Sequence, residues 1–354
     1  MILAAHASPR FNGRLARRLA RLAGELAHAA GPDLLAVVLG GGYGRGEGGV
    51  RVEGGVEQPY NDVDLFVVMA GARRWPHGTL ERLARLRENG LGVPVDVGRP
   101  LTVEAVAAWP AWLMWHELLH GHVVLHGPAD VLTAHASPAA WGPPPAIEAT
   151  RLLLNRGAGL LWAWRVVRGA DTGTDPDFVR RNRMKAEQAL GDAWLIACGR
   201  HRTALAGRAD DLATLCRERP DAAARTDDSA YRAALAFKLR PDTPPLAQPA
   251  EDGLADTAGR WRSTFLYLEA ERAGRPFSDP DDYAAWPALR EPTSGALGTL
   301  ANLARGARLG RPSWRHPREA LYRELPLLLE GPGAFPDAWA RRGARFLDAW
   351  RRFQ

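Results

Sequence analysis

The chain has 354 residues, enough for one large core and better suited to two domains. Its formal net charge is +6, and nearly all of the base is arginine, with Lys185 and Lys238 the only lysines. With abundant Ala, Gly and Pro, this looks like a GC-rich genome choosing codons. A dense Lys/Arg patch with interleaved aromatics is missing, so dedicated nucleic-acid binding is not expected.

Cys198 and Cys216 are the only cysteines, which argues against a disulfide framework and suits a reducing, cytoplasmic setting. Arg10, Arg14, Arg17 and Arg18 interrupt the N-terminal stretch, so no signal peptide is expected. No window approaches the roughly 18 apolar residues of a bilayer span, so no membrane contact is expected either.

In chain order, Leu15, Leu19, Leu22 and Leu26 recur at helical spacing and predict an amphipathic helix over 11–30. Residues 34–39 read as a buried strand, followed by Gly40-Gly41-Gly42-Tyr43-Gly44-Arg45-Gly46-Glu47. The segment 50–56 reads as a small hairpin turning at Gly54-Gly55. A second core strand is expected over 63–69, a loop over 71–78, a helix over 79–88 and a third strand over 93–97. Thr102 signals a helix start, a helix runs through 112–120, and 123–125 is a short strand. This order fits a small mixed sheet with helices packed on one face. The Pro-rich stretch 137–145 reads as a domain boundary, giving domains over 1–136 and 146–354.

The second part is nearly all helical by periodicity, with segments at 147–168, 177–200, 203–219, 229–239, 257–273, 294–309, 317–329 and 337–353. Residues 242–252 read as an acidic, Pro-rich loop. The fold class expected is therefore α+β: a small mixed β-sheet domain followed by an all-helical domain.

The chemistry concentrates in residues 37–68. Two apolar strands flank a glycine-rich turn, and the second opens with Asp62 and Asp64. Side chains two apart on a strand share a face, about 7 Å apart. Acids so placed can hold a pair of divalent cations about 4 Å apart, as phosphoryl and nucleotidyl transfer require. The glycines Gly41 and Gly42 let backbone N–H groups approach a phosphate closely. Arg45 is a candidate phosphate ligand or a partner for Glu47, and Asn61 fixes the loop before Asp62.

An apolar residue, Gly-Gly, a gap and Asp-x-Asp in a strand resemble the DNA polymerase β-like nucleotidyltransferase superfamily. Here the elements are Leu39-Gly40-Gly41-Gly42 and Asp62-Val63-Asp64, and the gap is longer than usual because it holds the 50–56 hairpin. The resemblance covers roughly residues 30–135. It implies a third carboxylate on a later strand, for which Asp96 is the candidate, and Mg²⁺ or Mn²⁺ held by Asp62, Asp64 and Asp96 as the catalytic acids. It also implies an NTP, with ATP expected, as donor and a small molecule, a protein side chain or an RNA end as acceptor. Many members close their cleft with a helical domain. On that pattern the polar stripe Arg181, Lys185, Gln188 and Asp192 would face the acids, Lys185 reaching a triphosphate and Asp192 orienting it. The same stripe also reads as a solvated helix face.

Two other functions compete. One is a catalytically silent nucleotide-sensing protein on the same fold. The other follows from His116-Glu117-Leu118-Leu119-His120, a literal HExxH zinc-peptidase motif. His126 stands where the extended pattern has a third ligand, but Val123 holds the place of a required glycine. A match with three fixed positions arises readily by chance, and packing is the plainer role for these histidines. Oligomeric state is not encoded in any feature of the sequence.

Overall fold

A computed structural model of the chain describes all residues except 72–77, 79–81, 83–84, 86–89, 173–176, 243–249, 292–294, 309–312 and 354. The expected 79–88 helix and most of the 71–78 loop thus lie outside the described residues. The architecture is α+β, a small mixed sheet in the N-terminal part followed by helices. The chain forms two compact units. The first comprises Met1–Pro145 with His201–Arg208 and Leu235–Pro244; the second comprises Ala146–Arg200, Ala209–Ala234 and Pro245–Gln354. The first unit therefore runs through the Pro-rich stretch and also takes up two short segments of the later, helical sequence. No described helix is long and apolar enough to cross a membrane.

Helix α1 (Pro9–Ala30) starts where Ser8 accepts the Phe11 N–H at 3.1 Å and ends at Gly31, whose φ of 78° an L side chain rarely adopts. Its leucines at 15, 19, 22 and 26 are all buried. They rest on the sheet formed by β1 (Leu34–Leu39), β4 (Val63–Met69), β5 (Val95–Val97), β6 (Leu101–Thr102) and β7 (Val123–His126). Strand β1 lies antiparallel to β4 and β7, while β4 runs parallel to β5 and β6. Strands β2 (Gly49–Glu53) and β3 (Val56–Tyr60) form the separate hairpin, with Gly54 and Gly55 both at positive φ as a two-residue turn demands.

Both faces of the sheet are covered, where one covered face was expected. Val37, Leu39, Val63, Leu65 and Val67 pack with α1, while Ala36, Val38 and Val68 pack with Val106, Trp109, Leu118 and Leu119. The cause is legible in β1 itself: Leu-Leu-Ala-Val-Val-Leu is apolar at every position, the pattern of a strand buried on both sides. The second cover comes from α3 (Val103–Ala107), capped by Thr102, and α4 (Leu113–His120).

In the second unit, α5 (Ile147–Val167) and α6 (Phe178–Ala197) pack together and against the long helix α10 (Ala250–Ala273). Gly157 leaves room for the Trp261 indole, whose Nε1 donates to the Leu153 carbonyl at 2.9 Å. Helix α10 begins at Ala250, although the sequence predicts loop to residue 252. Gly253 inside this helix is a point of close approach: a Cβ there would stand 2.4 Å from Arg183 Nη1. Glu251 and Asp252 in the first turn suit the positive end of the helix. Conversely, the helix expected from residue 203 starts at Arg208 as α7 (Arg208–Glu218). Gly207 at φ 84° blocks an earlier start, and the Leu205 N–H is taken by Glu47 at 2.6 Å.

Leu19 is fully buried while Leu300 is 60 % exposed. Leu19→Ala is expected to cost about 2–5 kcal/mol, and Leu300→Ala less than about 0.5 kcal/mol, in urea unfolding followed by circular dichroism. Equal losses would contradict the seating of α1 on the sheet.

Candidate active site

The site grows from the pairing of β1 with β4. Leu39 is the register partner of Leu65, so the next residue, Gly40, lies level with Asp64 and donates its N–H to the Asp64 carbonyl at 2.9 Å. The glycine run then turns once as a short helix, α2 (Gly41–Gly44). Gly41 has a φ of 58°, and a Cβ on it would fall 1.9 Å from Asp64 Oδ2. Glycine is thus required at position 41 by the carboxylate that sits on it. Gly42 follows in the same turn, where its carbonyl accepts the Glu47 N–H at 2.8 Å.

Strand parity puts two of the three candidate acids on one face. Val63 and Leu65 face α1, as do Val95 and Val97, so Asp64 and Asp96 project from the opposite face. They are direct register partners on the parallel strands β4 and β5, which places their backbones about 4.8 Å apart. Asp62 precedes β4 by one residue. Asn61 next to it holds a φ of 71°, the one positive value outside glycine among the described residues, and its amide donates to the Asp62 carboxylate. Asp62 and Asp64 are half-buried and Asp96 is exposed. As a donor set, three carboxylates suit a hard divalent cation such as Mg²⁺. As they stand, no three His, Cys, Asp or Glu side chains among the described residues are drawn together around one ion position.

Tyr43 fastens the turn to the inserted hairpin. Its hydroxyl donates to the Gly49 carbonyl at 2.8 Å and accepts the Tyr60 N–H at 2.9 Å, and Gly49 and Tyr60 are register partners at the hairpin base. Burial pushes the Tyr43 phenol up, the Tyr60 bond opposes the rise, and the charge of Asp62 adds to it. The hairpin therefore lengthens the gap to Asp62 while its ends stay clamped to the glycine turn.

Arg45 is committed inside the first unit. Its side chain, 7 % exposed, lies 3.3 Å from Glu117 and 3.4 Å from Glu47. Glu117 also meets Arg208 at 3.2 Å and His201 Nε2 at 3.5 Å. Burial works against the Glu117 charge, but Arg45, His201, Arg208 and Lys238 outweigh it and hold the carboxyl well below its usual range. The glutamate of the HExxH motif is thus bound between two guanidinium groups. Of the two histidines, His116 is buried with Nδ1 3.0 Å from the Gly142 carbonyl, and His120 has Nδ1 2.8 Å from the His116 carbonyl. Burial, then the neighbouring His120 and His201, pushes His116 down. His126 closes strand β7 opposite Val37.

Lys185 and Asp192 belong to α6 in the second unit. Lys185 is half-buried. Asp192 is buried and accepts bonds from Tyr231 at 2.7 Å and Gln188 at 2.9 Å, so its carboxylate ties helices of that unit together. Gly191 is needed beside it, since a Cβ there would meet the Tyr231 ring at 2.4 Å. Sequence reasoning did not single out Tyr43, His201 or Arg208. Tyr43 had one signal, an aromatic residue inside a glycine run; the other two had none.

A comparison with protein-family models found no match, and neither did a search of curated proteins.

Glu117 supplies a test by pH. Its folded-state pKa is depressed, so its contribution to stability is complete above the unfolded value of about 4.3 and is lost as pH falls through the folded value. Glu117→Gln leaves Arg45 and Arg208 without their shared counter-charge and is expected to cost on the order of 3 kcal/mol at pH 7. In urea titrations the difference from the wild type should shrink steadily below pH 4; a pH-independent difference would mean that the charge is not what Glu117 contributes.

Proposed function

We propose that the first unit carries a metal-dependent nucleotidyltransferase centre of the DNA polymerase β-like type. It moves a nucleoside monophosphate from an NTP, ATP first among them, to an acceptor hydroxyl and releases pyrophosphate. The observation that carries this is the placement of Asp64 and Asp96 as register partners on one sheet face, with the Asp64 carboxylate seated on Gly41. In the step, the acceptor oxygen forms a bond to the α-phosphorus, the bond from that phosphorus to the bridging oxygen breaks, and pyrophosphate leaves. Asp96, the exposed carboxylate, takes the hydroxyl proton.

Asp62, Asp64 and Asp96 are the residues that would hold Mg²⁺ or Mn²⁺. When bound, the metal supplies charge neutralisation on the phosphates and eases deprotonation of the acceptor. Gly41 and Gly42 offer backbone N–H groups to the phosphates. Arg45 holds the glycine turn through Glu47 and Glu117 rather than adding a free cation. A small molecule, a protein side chain or an RNA end can serve as acceptor. A cytoplasmic setting goes with this chemistry, and both cysteines are free.

The commitment of Arg45 to two glutamates favours one second possibility, a protein that binds nucleotide without turning it over. One assay separates the two: pyrophosphate release from each NTP with Mg²⁺ or Mn²⁺, in the presence of cell extract as a source of acceptor. Asp62→Ala/Asp64→Ala is expected to lower release by about 10²–10³-fold or more. Metal-dependent ATP binding, lost in the same variant but with no release, would instead identify the sensing protein. A wild type that neither binds nor releases would end both.

A further inference from the structure

The second unit contains a cavity of about 460 Å³ lined by residues from three helices: α12 (Gly295–Arg308), α13 (Arg318–Leu328) and α14 (Pro336–Phe353). That is the size of a small-molecule site. Its wall carries four guanidinium groups, from Arg315, Arg323, Arg345 and Arg352, against two carboxylates, Glu319 and Asp348. The two acids do little to neutralise the four bases. Glu319 Oε1 accepts the backbone N–H groups of Arg290 at 2.7 Å and Glu291 at 2.8 Å, and its Oε2 faces Arg290 at 3.5 Å. Asp348 meets Arg351, outside the lining, at 3.5 Å.

The remaining charge is felt within the wall. Arg323 gives one Nη to the Trp286 carbonyl at 3.1 Å, and its buried Nε has no hydrogen-bond partner among the described residues. Burial, then Arg290 and Arg315, works against the Arg323 charge. His316 lines the same cavity; burial, opposed by Glu291 and reinforced by Arg318, Arg305 and Arg151, lowers it to about 4, so it is neutral at pH 7. Its Nδ1 accepts the Arg318 N–H at 3.3 Å, which leaves the ring proton on Nε2 as a donor. Leu321, Pro317 and Ala349 add apolar surface to the same lining.

We infer that this cavity binds a small organic phosphate ester, its phosphate held by the arginines and its ring or chain against the apolar residues of the lining. Several guanidinium groups lining one cavity match a dianion with multiple oxygens better than a single carboxylate. The volume beyond one phosphate, together with Leu321, Pro317 and Ala349, calls for an apolar body. Every lining residue belongs to the second unit, so the inference does not rest on nucleotidyl transfer.

The test uses calorimetry on the full chain carrying Asp62→Ala/Asp64→Ala, in EDTA, which removes the proposed catalytic acids and any metal. The probes are AMP and phenyl phosphate, with inorganic phosphate and adenosine as controls. At least one ester is expected to bind at one site, at least about tenfold more tightly than either control. Adding Arg345→Gln/Arg352→Gln, both on the exposed face of α14, is expected to weaken it by about tenfold or more while leaving the melting temperature unchanged. The inference is overturned if neither ester binds, if a control binds as well as the esters, or if the arginine variant binds them undiminished.

Discussion

The first unit depends on one close approach, the Asp64 carboxylate lying on Gly41. The antiparallel ladder between β1 and β4 ends with Leu39 opposite Leu65, and the Gly40 N–H bonded to the Asp64 carbonyl extends it by one step. From there the chain must turn away beneath an acid side chain, with no space for a Cβ and with φ in the left-handed region. Glycine at this point is therefore explained twice over. Sterics alone demand it, and a phosphate brought to Asp64 would use the same absence of side chain. The two explanations are not rivals, because the acid that excludes a side chain is also the acid that would bring a cation there. Gly40 is constrained from the other direction, since a Cβ on it would meet Phe66 and Leu118 within 3 Å. The turn is thus fixed between the carboxylate and the helix that covers the same face of the sheet.

That covering helix bears the HExxH sequence, and its chemistry is decided by surroundings rather than by spacing. A zinc-peptidase glutamate must be available to take a proton from bound water. Glu117 lies instead between Arg45 and Arg208, with its charge stabilised by both. The arrangement links the glycine turn, through Arg45, to His201 and Arg208 from a segment more than 80 residues later. Glu47 reinforces the link by accepting the Leu205 N–H. One half-buried carboxylate with several donors thus does for this corner of the unit what an apolar contact does elsewhere, and it fixes direction as well as proximity.

Local pattern was enough for the elements whose partners are close in sequence. Strands β1 and β4 match the expected 34–39 and 63–69, because continuous apolar runs bounded by turn residues leave little choice. The hairpin was legible from Gly54-Gly55. The alignment of Asp64 with Asp96 was implicit in strand parity, but their register depends on which strands become neighbours, and no periodicity carries that. The start of α10 was hidden because 242–252 reads as an acidic, Pro-rich loop, and the contact that uses Gly253 comes from Arg183, 70 residues earlier. The late start of α7 was hidden because the acceptor for Leu205 is Glu47. The cover on the second sheet face was implied by the apolar β1, yet which helices supply it is a tertiary matter. In each case the illegible part is a long-range pairing and the legible part a local one.

The arginine content shows the same division between composition and context. Read along the sequence, it is a codon preference with no patch. In three dimensions many of these side chains are structural cations with assigned anions: Arg45 and Arg208 on Glu117, Arg151 on Glu148 and Glu291, Arg165 on Asp171, Arg290 on Glu319. A guanidinium group is bulky, permanently charged and costly to bury alone, so a fold that recruits arginine for its interior must also recruit acids. Around the cavity between α13 and α14 that pairing thins among the described residues: Glu319 is already occupied by the Arg290 and Glu291 backbone, and Arg323 keeps a buried Nε without an acceptor there. Arg315 and Arg323 are half-buried and Arg345 and Arg352 exposed, and among the described residues of the wall only Glu319 and Asp348 stand against the four, an imbalance that composition does not explain. An anion from outside the chain supplies the missing charge.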